Sequence, residues 1–208
     1  SQYYEIFNED HVKLVDVRNA PITEITESGI QTTDHHYELD AIAFATGFDA
    51  MTGAMREIDI RVNGGPTLDE QWEAGPRTYL GLMVAGLPNL FMITGPQSPG
   101  VKSQMILSIE WHVDWIADCL QHMKDNKLNR IEATTEAQEN WVKHVKDVAD
   151  STLYPLANSW YMGVNIPGKP KVFMPYVGGV HTYTKECDRV VANGYEGFVM
   201  SREEISVT

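Results

Sequence analysis

A buried strand, a turn rich in glycine and proline, and a long amphipathic helix follow one another between Pro88 and Met123, and this succession constrains the fold most. The apolar run at residues 90–94 predicts a strand covered on both faces of a parallel sheet. The turn Gly95–Gly100 ends it. Ligands of open α/β sheets bind at such strand ends, where glycine turns leave amide N–H groups free and helix N-termini favour polar or anionic groups. We therefore expect a cofactor near residues 94–105.

A second strand end of the same kind is predicted after residue 46. Between Tyr37 and Thr46 the sequence passes from alternation into an unbroken apolar run, which is typical of a strand buried on both sides. Shorter strands are predicted at residues 12–17, 22–26 and 30–33. Together with the helices that follow, these strands indicate an α/β fold.

The helix after Gly100 is predicted to run to about Lys124. Apolar residues recur along it at the three- and four-residue spacing of one helical face. We expect that face to be buried, and its members are Met105, Ile106, Ile109, Val113, Ile116, Leu120 and Met123.

Two further helices are indicated by their end signals. Thr135 and Gln138 form a candidate capping box for one helix, which ends before Pro155. A shorter helix is predicted around residues 185–193, with Gly194 as its C-terminal cap.

Composition and charge narrow the classes of function. The chain of 208 residues has 16 Lys and Arg against 29 Asp and Glu, a formal net charge of −13 without a basic cluster, so no nucleic-acid or membrane partner is expected. Cys119 and Cys187 lack the spacing of a zinc site or disulfide framework, which predicts reduced core thiols. Because no membrane-spanning run or signal peptide is visible, we expect a soluble cytoplasmic protein.

Several side chains have both a chemical and a structural interpretation. The hydrolase nucleophile elbow has the pattern GxSxG, whereas two residues separate Gly95 from Ser98, one more than that pattern allows. We therefore interpret Ser98 as a turn residue. Asp114, Asp118 and His122 share helical spacing, as the edge of a metal site would, although a solvated helix face explains the same pattern. We predict no metal site.

The segment 158–170 is too rich in glycine and proline to be regular, and loops of this kind usually bind a ligand or move. Trp160 lies in it, and ligand binding and packing are equally open roles for this ring. Lys169, between Gly168 and Pro170, is a candidate phosphate contact or simply a solvated lysine.

One absence matters for the kind of protein. No GxGxxG motif follows a strand and no Walker loop is present, so the strand ends suited to a cofactor lack the usual cradle for a pyrophosphate. The sequence therefore looks like part of a nucleotide-binding enzyme.

Five stretches resemble, in order and over essentially the whole chain, the C-terminal part of type I Baeyer-Villiger monooxygenases of the phenylacetone, cyclohexanone and steroid monooxygenase group. These are LDAIAFATGFDA (39–50), GPRTYLG (75–81), PNLFMITGPQSP (88–99), NSWYMGVNIPGKP (158–170) and GYEGF (194–198). The resemblance implies a Rossmann-like α/β flavoprotein with two dinucleotide-binding domains. Residues 1–47 would end the β-rich NADPH-binding domain, and residues 48–208 would form the C-terminal segment of the FAD-binding domain, with a mobile loop at 156–172.

The resemblance also implies the chemistry. NADPH reduces FAD, the reduced flavin activates dioxygen, and insertion of one oxygen atom beside a ketone carbonyl gives an ester or lactone. No catalytic residue is expected within the chain, because the family's arginine would precede Ser1. Both glycine-rich fingerprints would lie in a missing N-terminal half, without which the chain is expected to be inactive.

Site residues are assigned by position through the same resemblance. Those expected to bind the cofactors FAD and NADP are Thr46, Gly47, Phe48, Asp49, Gly95, Pro96, Gln104, Met105 and Trp160. Those expected at the substrate are Gly100, Val101, Lys102 and Met105. Lys102 stands where relatives carry an apolar or small residue, and Gln104 where many carry Asn, so the preferred ketone is left open.

Two other functions stay open. An N- or S-oxygenating flavin monooxygenase shares the Ala-Thr-Gly strand end, although the loop around Trp160 argues against it. A non-catalytic binding or scaffold module would keep the fold without the cofactors, and would purify as a stable colourless protein.

Overall fold

The structure, a computed structural model, describes residues 2–100 and 103–203. The predicted substrate residues Val101 and Lys102 lie outside this range. The chain forms two compact units, Ser1–Thr46 and Gly47–Thr208.

The first unit contains a three-stranded antiparallel sheet. Its strands are β1 (Ile22–Thr26), β2 (Gly29–Thr32) and β3 (His36–Glu38), in the order β1-β2-β3. β-Branched residues favour the first hairpin, in which Thr26 pairs with Gly29 across a two-residue turn. The hairpin predicted at residues 22–33 is confirmed.

The predictions of two other strands in this unit are wrong. Residues 12–17 form no strand, and the strand predicted between Tyr37 and Thr46 is reduced to β3, with Phe44 71% exposed. An apolar run forms a buried strand only where neighbouring strands bond to it and cover it. Among the described residues of this unit, β2 is the only strand that pairs with β3.

Three helices and an antiparallel strand pair form the main core of the second unit. The helices are α3 (Met105–Asp125), α4 (Thr135–Asp150) and α5 (Val180–Ala192), and the pair is β4 (Arg130–Ala133) with β5 (Phe198–Ser201). Their shared core includes Trp115, Trp141, Tyr183, Cys119 and Cys187. Both cysteines are free and buried, as predicted.

Two four-residue helices, α1 (Gly53–Arg56) and α2 (Leu68–Gln71), precede this core. α2 is held by a complete capping box of Thr67 and Glu70, and it packs Leu68 against Trp72 in a second, smaller core.

The helix ends correct the sequence analysis in detail. The capping residue of α4 is Thr134, whose Oγ1 accepts the N–H of Ala137 at 3.1 Å, and not Thr135 as predicted. α5 begins at Val180, five residues before the predicted start at residue 185, and Gly194 follows it with φ +72°. None of the described helices is long and apolar enough to cross a membrane.

The buried face of α3 differs from the prediction. The helix buries Ser108, His112, Trp115, Cys119 and Met123. Its aliphatic stripe is largely exposed instead, from Ile106 at 71% through Ile109, Val113 and Leu120. The spacing of apolar residues located the helix correctly. Two adjacent faces of the helix carry apolar residues, however, and the face that includes Trp115 packs into the core.

The strand predicted at residues 90–94 is also absent. Only Met92 is buried there, and its N–H donates to the Leu82 carbonyl at 2.8 Å. The segment runs beside residues 82–84 without forming a ladder, so in the described residues no sheet covers it.

Candidate functional site

The turn at residues 94–100 is fixed from inside the second unit. Gln97 is buried with φ +70°, and its amide oxygen accepts from the N–H and hydroxyl of Thr78, both at 2.8 Å. Its amide nitrogen donates to the Pro76 carbonyl at 2.9 Å. Every polar atom of this side chain has a partner, so Gln97 attaches the turn to residues 76–78.

Ser98 is a turn residue, as predicted, and not a nucleophile. The side chain is fully buried and its hydroxyl donates to the Gly95 carbonyl at 2.6 Å. Gly81 lies against it, so closely that a Cβ on Gly81 would be 2.6 Å from the Ser98 Cβ.

The turn is joined to the glycine- and proline-rich loop by residues 172–176. The N–H of Tyr176 donates to the Ser98 carbonyl at 2.7 Å, and the N–H of Met174 donates to the Tyr161 carbonyl at 2.9 Å. Trp160, beside Tyr161, keeps 37% of its surface exposed and packs edge-on to the Tyr161 ring at 4.3 Å between centroids. The loop therefore presents one accessible indole next to a fixed turn.

The other end of that loop is joined to the predicted strand end at residues 47–49. Lys169 is 5% exposed; it forms an ion pair with Asp49 and donates to the Thr52 hydroxyl at 2.7 Å. The Asn165 amide nitrogen donates to the Phe48 carbonyl at 3.1 Å. Lys169 is thus neither solvated nor free for a phosphate: its charge is used to attach the loop.

This attachment is testable by substitution. Lys169→Met removes the cation and leaves Asp49 without its counter-charge, and we expect a loss of about 2 kcal/mol in unfolding free energy. We also expect faster proteolytic cleavage within residues 156–172. Lys171→Met is the matched control, because Lys171 is exposed and its Nζ lies 3.4 Å from the Asn158 Oδ1. Equal cleavage rates in the two variants would contradict this assignment.

A buried histidine supports the start of the turn. His112 is fully buried; its Nδ1 accepts the Thr94 N–H at 2.8 Å, and its Nε2 lies 2.8 Å from the Tyr183 hydroxyl. That hydroxyl donates to the Leu80 carbonyl at 2.6 Å. Burial lowers the pKa of His112 to about 4, so the ring is neutral at physiological pH.

Left-handed backbone conformations cluster along this turn. Thr94, Gln97 and Gln104 have φ +53°, +70° and +55°. Such conformations cost about 1 to 2 kcal/mol for a residue with a side chain, most for a β-branched one, and they concentrate where structure is fixed for function.

The N-terminus of α3 fits a polar, planar ligand. Gln104, at its N-cap, makes no side-chain capping bond, so its side chain does not occupy the first amide N–H groups of the helix. Ile106 and Leu107 are exposed beside it. A ring with carbonyl oxygens would meet amide donors and apolar surface there, which is the donor set a flavin needs.

The structure brings together most of the predicted site residues. Within the second unit, residues 165–175 reach Phe48, Asp49 and Gly100 directly, through Asn165, Lys169 and Pro175. Gly95 and Pro96 belong to the same turn as Gly100, Trp160 lies in the loop itself, and Gln104 and Met105 lie at the start of α3. Thr46 belongs to the other unit, and Gly47 begins this one. Asp114, Asp118 and His122 are exposed, and no described group of three or more such side chains is placed to hold a metal.

Two residues, His112 and Tyr183, were missed as candidates, and the ion pair of Lys169 with Asp49 was not foreseen. These contacts join residues 71 and 120 positions apart, which spacing does not reveal. The only signal was that residues 108, 112, 115, 119 and 123 share a helical face.

Known proteins resemble the chain closely. Cyclopentanone 1,2-monooxygenase of Comamonas sp. (strain NCIMB 9872) is 44% identical over 199 residues, 96% of this chain and 36% of that protein. A Baeyer-Villiger monooxygenase of Pseudooceanicola batsensis is 41% identical over 203 residues, 97% of this chain and 37% of that protein. The phenazine N-monooxygenase PhzNO1 of Lysobacter antibioticus is 37% identical over 208 residues, 100% of this chain and 38% of that protein. No protein-family model matches.

Solved structures of related enzymes match the chain as well. A crystal structure of OTEMO in complex with FAD and NADP matches with a TM-score of 0.85 and 37% identity, over 97% of this chain and 38% of that chain. The resemblance and the fold class predicted from the sequence are confirmed. The chain belongs to the Baeyer-Villiger monooxygenase family of flavoproteins, and it spans a little over one third of the length of the relatives it matches.

Proposed function

We propose that this chain forms one wall of an FAD- and NADP-dependent monooxygenase that inserts one atom of O2 into a ketone to give an ester or lactone. The observation that carries the proposal is the connection of three separate segments: the turn at residues 94–100, the loop around Trp160 and the segment at residues 47–49. In support, a structural relative, OTEMO, is seen in complex with FAD and NADP.

When bound, the flavin supplies the oxygen chemistry and the nicotinamide supplies the hydride. The residues of this chain bind, orient and exclude water. The amide N–H groups at the start of α3 would meet the flavin ring, together with Gly95, Pro96 and Met105. Trp160 would cover NADP, and Gly100 would border the ketone.

The segment at residues 46–49 would act as the hinge between the two cofactor domains. In support, the boundary between the two compact units falls between Thr46 and Gly47, and Gly47 has φ +84°, a conformation that favours glycine. Assignment of the first unit to NADPH binding and of the second to FAD binding rests on the family resemblance.

Activity would require further polypeptide. The chain spans little more than a third of its relatives, and the aliphatic stripe of α3 at Ile106, Ile109, Val113 and Leu120 is exposed. Aliphatic residues repeated along one helix face are normally covered. We infer that the remainder of the enzyme covers them.

Co-expression with the N-terminal two thirds of a relative tests the proposal. We expect a yellow complex that retains FAD on gel filtration and oxidises NADPH when a ketone is added, with an ester or lactone as product. The chain expressed alone is the control and should be colourless. A well-folded complex that holds no flavin would contradict the proposal.

Product analysis distinguishes ketone oxygenation from the alternative function, N- or S-oxygenation. The similarity to a phenazine N-monooxygenase favours including a nitrogen heteroaromatic substrate and a thioether beside the ketone. N- or S-oxide formed in the absence of ester would assign the oxygen transfer to a heteroatom.

Trp160 offers a sharper prediction in the same complex. Trp160→Ala should raise the KM for NADPH by about tenfold, since a partly exposed aromatic ring at a binding site typically contributes more than 1 kcal/mol. Leu153→Ala is the control, because Leu153 is an exposed apolar residue outside the loop at 156–172. An unchanged KM in Trp160→Ala would leave the indole with a packing role only.

A further inference from the structure

Two left-handed residues on separate segments are joined by one buried chain of hydrogen bonds. Leu80 and Thr94 have φ +58° and +53°. The Leu80 carbonyl accepts from the Tyr183 hydroxyl at 2.6 Å, and the Thr94 N–H donates to His112 Nδ1 at 2.8 Å. Between them, His112 Nε2 lies 2.8 Å from the Tyr183 hydroxyl.

Both ends of this chain require the same tautomer of His112. A carbonyl can only accept, so the Tyr183 hydroxyl donates to Leu80 and must accept from His112, which places the proton on Nε2. At the other end, the Thr94 N–H can only donate, so Nδ1 must be bare. The two requirements agree, and the ring is locked as a neutral acceptor aimed at Thr94.

The position of Thr94 gives the contact its importance. A β-branched residue is seldom left-handed, and this one opens the turn whose next residues lead into Gln97 and the start of α3. Without the acceptor on His112, the Thr94 N–H would be left unpaired in a partly buried place, and the extended conformation would be favoured.

We propose that His112 is a positioning residue: in its Nε2–H form it holds Thr94 left-handed and so sets the direction in which the turn at residues 94–100 meets the bound cofactor. The hydrogen bond that keeps Thr94 left-handed lies within this chain and does not depend on the proposed function. Its consequence for the cofactor rests on the proposed function.

Three variants separate the contributions of His112 and Tyr183 to this chain of hydrogen bonds. His112→Asn places an amide oxygen near the position of Nδ1, and so keeps an acceptor for Thr94. His112→Leu removes every acceptor at similar volume. Tyr183→Phe removes the hydroxyl that fixes the tautomer. His122→Leu, an exposed histidine on the same helix, is the control.

The first readout is amide hydrogen exchange in the full chain, measured by NMR, with the Met92 amide as internal reference because it donates to the Leu82 carbonyl nearby. In His112→Leu we expect exchange at Thr94 to rise about tenfold relative to Met92, and in His112→Asn to stay within about threefold of wild type. If His112→Leu does not fold, Tyr183→Phe against His112→Asn gives the same comparison, with faster exchange at Thr94 expected only in Tyr183→Phe.

A uniform rise at both amides, or equal rates in His112→Leu and His112→Asn, would overturn the proposal, because a histidine that merely fills space predicts those results. The second readout is the flavin absorbance band and kcat/KM for NADPH in the co-expressed complex, where His112→Asn should restore at least part of a roughly tenfold loss seen in His112→Leu. A wild-type complex without flavin would count against the proposed function, while the exchange data would still decide the role of His112.

Discussion

Gly81→Ala is expected to destabilise the chain by about 3 kcal/mol, from the combined cost of a left-handed alanine and an overpacked contact. Gly81 has φ +69°, and an added Cβ would lie 2.6 Å from the Ser98 Cβ and 2.8 Å from the Ser98 backbone nitrogen. Because Ser98 is buried and belongs to the turn at residues 94–100, the clash must move that turn. Denaturant unfolding of the full chain measures the loss, and the co-expressed complex should lose flavin affinity as well.

Gly64→Ala is the matched control. Gly64 has nearly the same backbone conformation, φ +74°, but no atom lies within 4 Å of the added Cβ. The two variants therefore share the cost of the left-handed alanine and differ in the close contacts, which only the Cβ at position 81 makes, with Ser98 and the Pro96 carbonyl. Equal destabilisation by both would mean that the turn does not depend on the close approach of Gly81.

Acid is expected to weaken the chain through His112. Its pKa is lowered to about 4 in the folded state from an ordinary value near 6.5, since burial disfavours the imidazolium. The unfolded chain therefore binds more protons between these values. The stabilising effect of the neutral ring is complete above about pH 6.5 and is lost as the pH falls through about 4, an upper limit of about 3 kcal/mol.

Comparison with His112→Asn isolates this effect, because the variant cannot titrate there. Tyr183, packed against His112, stays neutral since burial raises its pKa, and the same holds for the buried thiol of Cys187. Asp147 and Glu196, whose pKa values are lowered chiefly by hydrogen bonds from Lys143 and Arg189, also lose stabilisation in acid, but they do so in both proteins. Unfolding free energies at pH 4 and pH 7 should therefore differ more in the wild type than in His112→Asn; parallel curves would contradict the assignment.

Local signals in the sequence predicted the helices well and the strands poorly. The three- and four-residue spacing located α3 to within a residue at its end, because a helix satisfies its own backbone hydrogen bonds. A strand does not, so the apolar runs at residues 41–46 and 90–94 predicted strands for which the described residues offer no neighbours. The prediction of which face of α3 is buried failed for a related reason. The face centred on Trp115 and the stripe through Val113 both carry apolar residues, and only tertiary packing selects between them.

The location of the candidate site followed from the resemblance, whereas its internal connections did not. Motifs placed Asp49, Trp160 and the turn at residues 94–100 in one functional group. Nothing in spacing could pair Lys169 with Asp49, or orient His112 between Thr94 and Tyr183, since these contacts arise only when distant segments meet.

The burial of the Lys169–Asp49 pair has a consequence for binding experiments. Mobile ions screen charges that face water over about 10 Å at 0.1 M salt. They screen this pair less, because the Lys169 side chain is 5% exposed and the Asp49 side chain 30%. Added salt should therefore change the electrostatic part of a dinucleotide's binding without loosening the loop's own tether. Any ionic-strength dependence of nucleotide affinity would then report on the ligand's charges and not on opening of the loop.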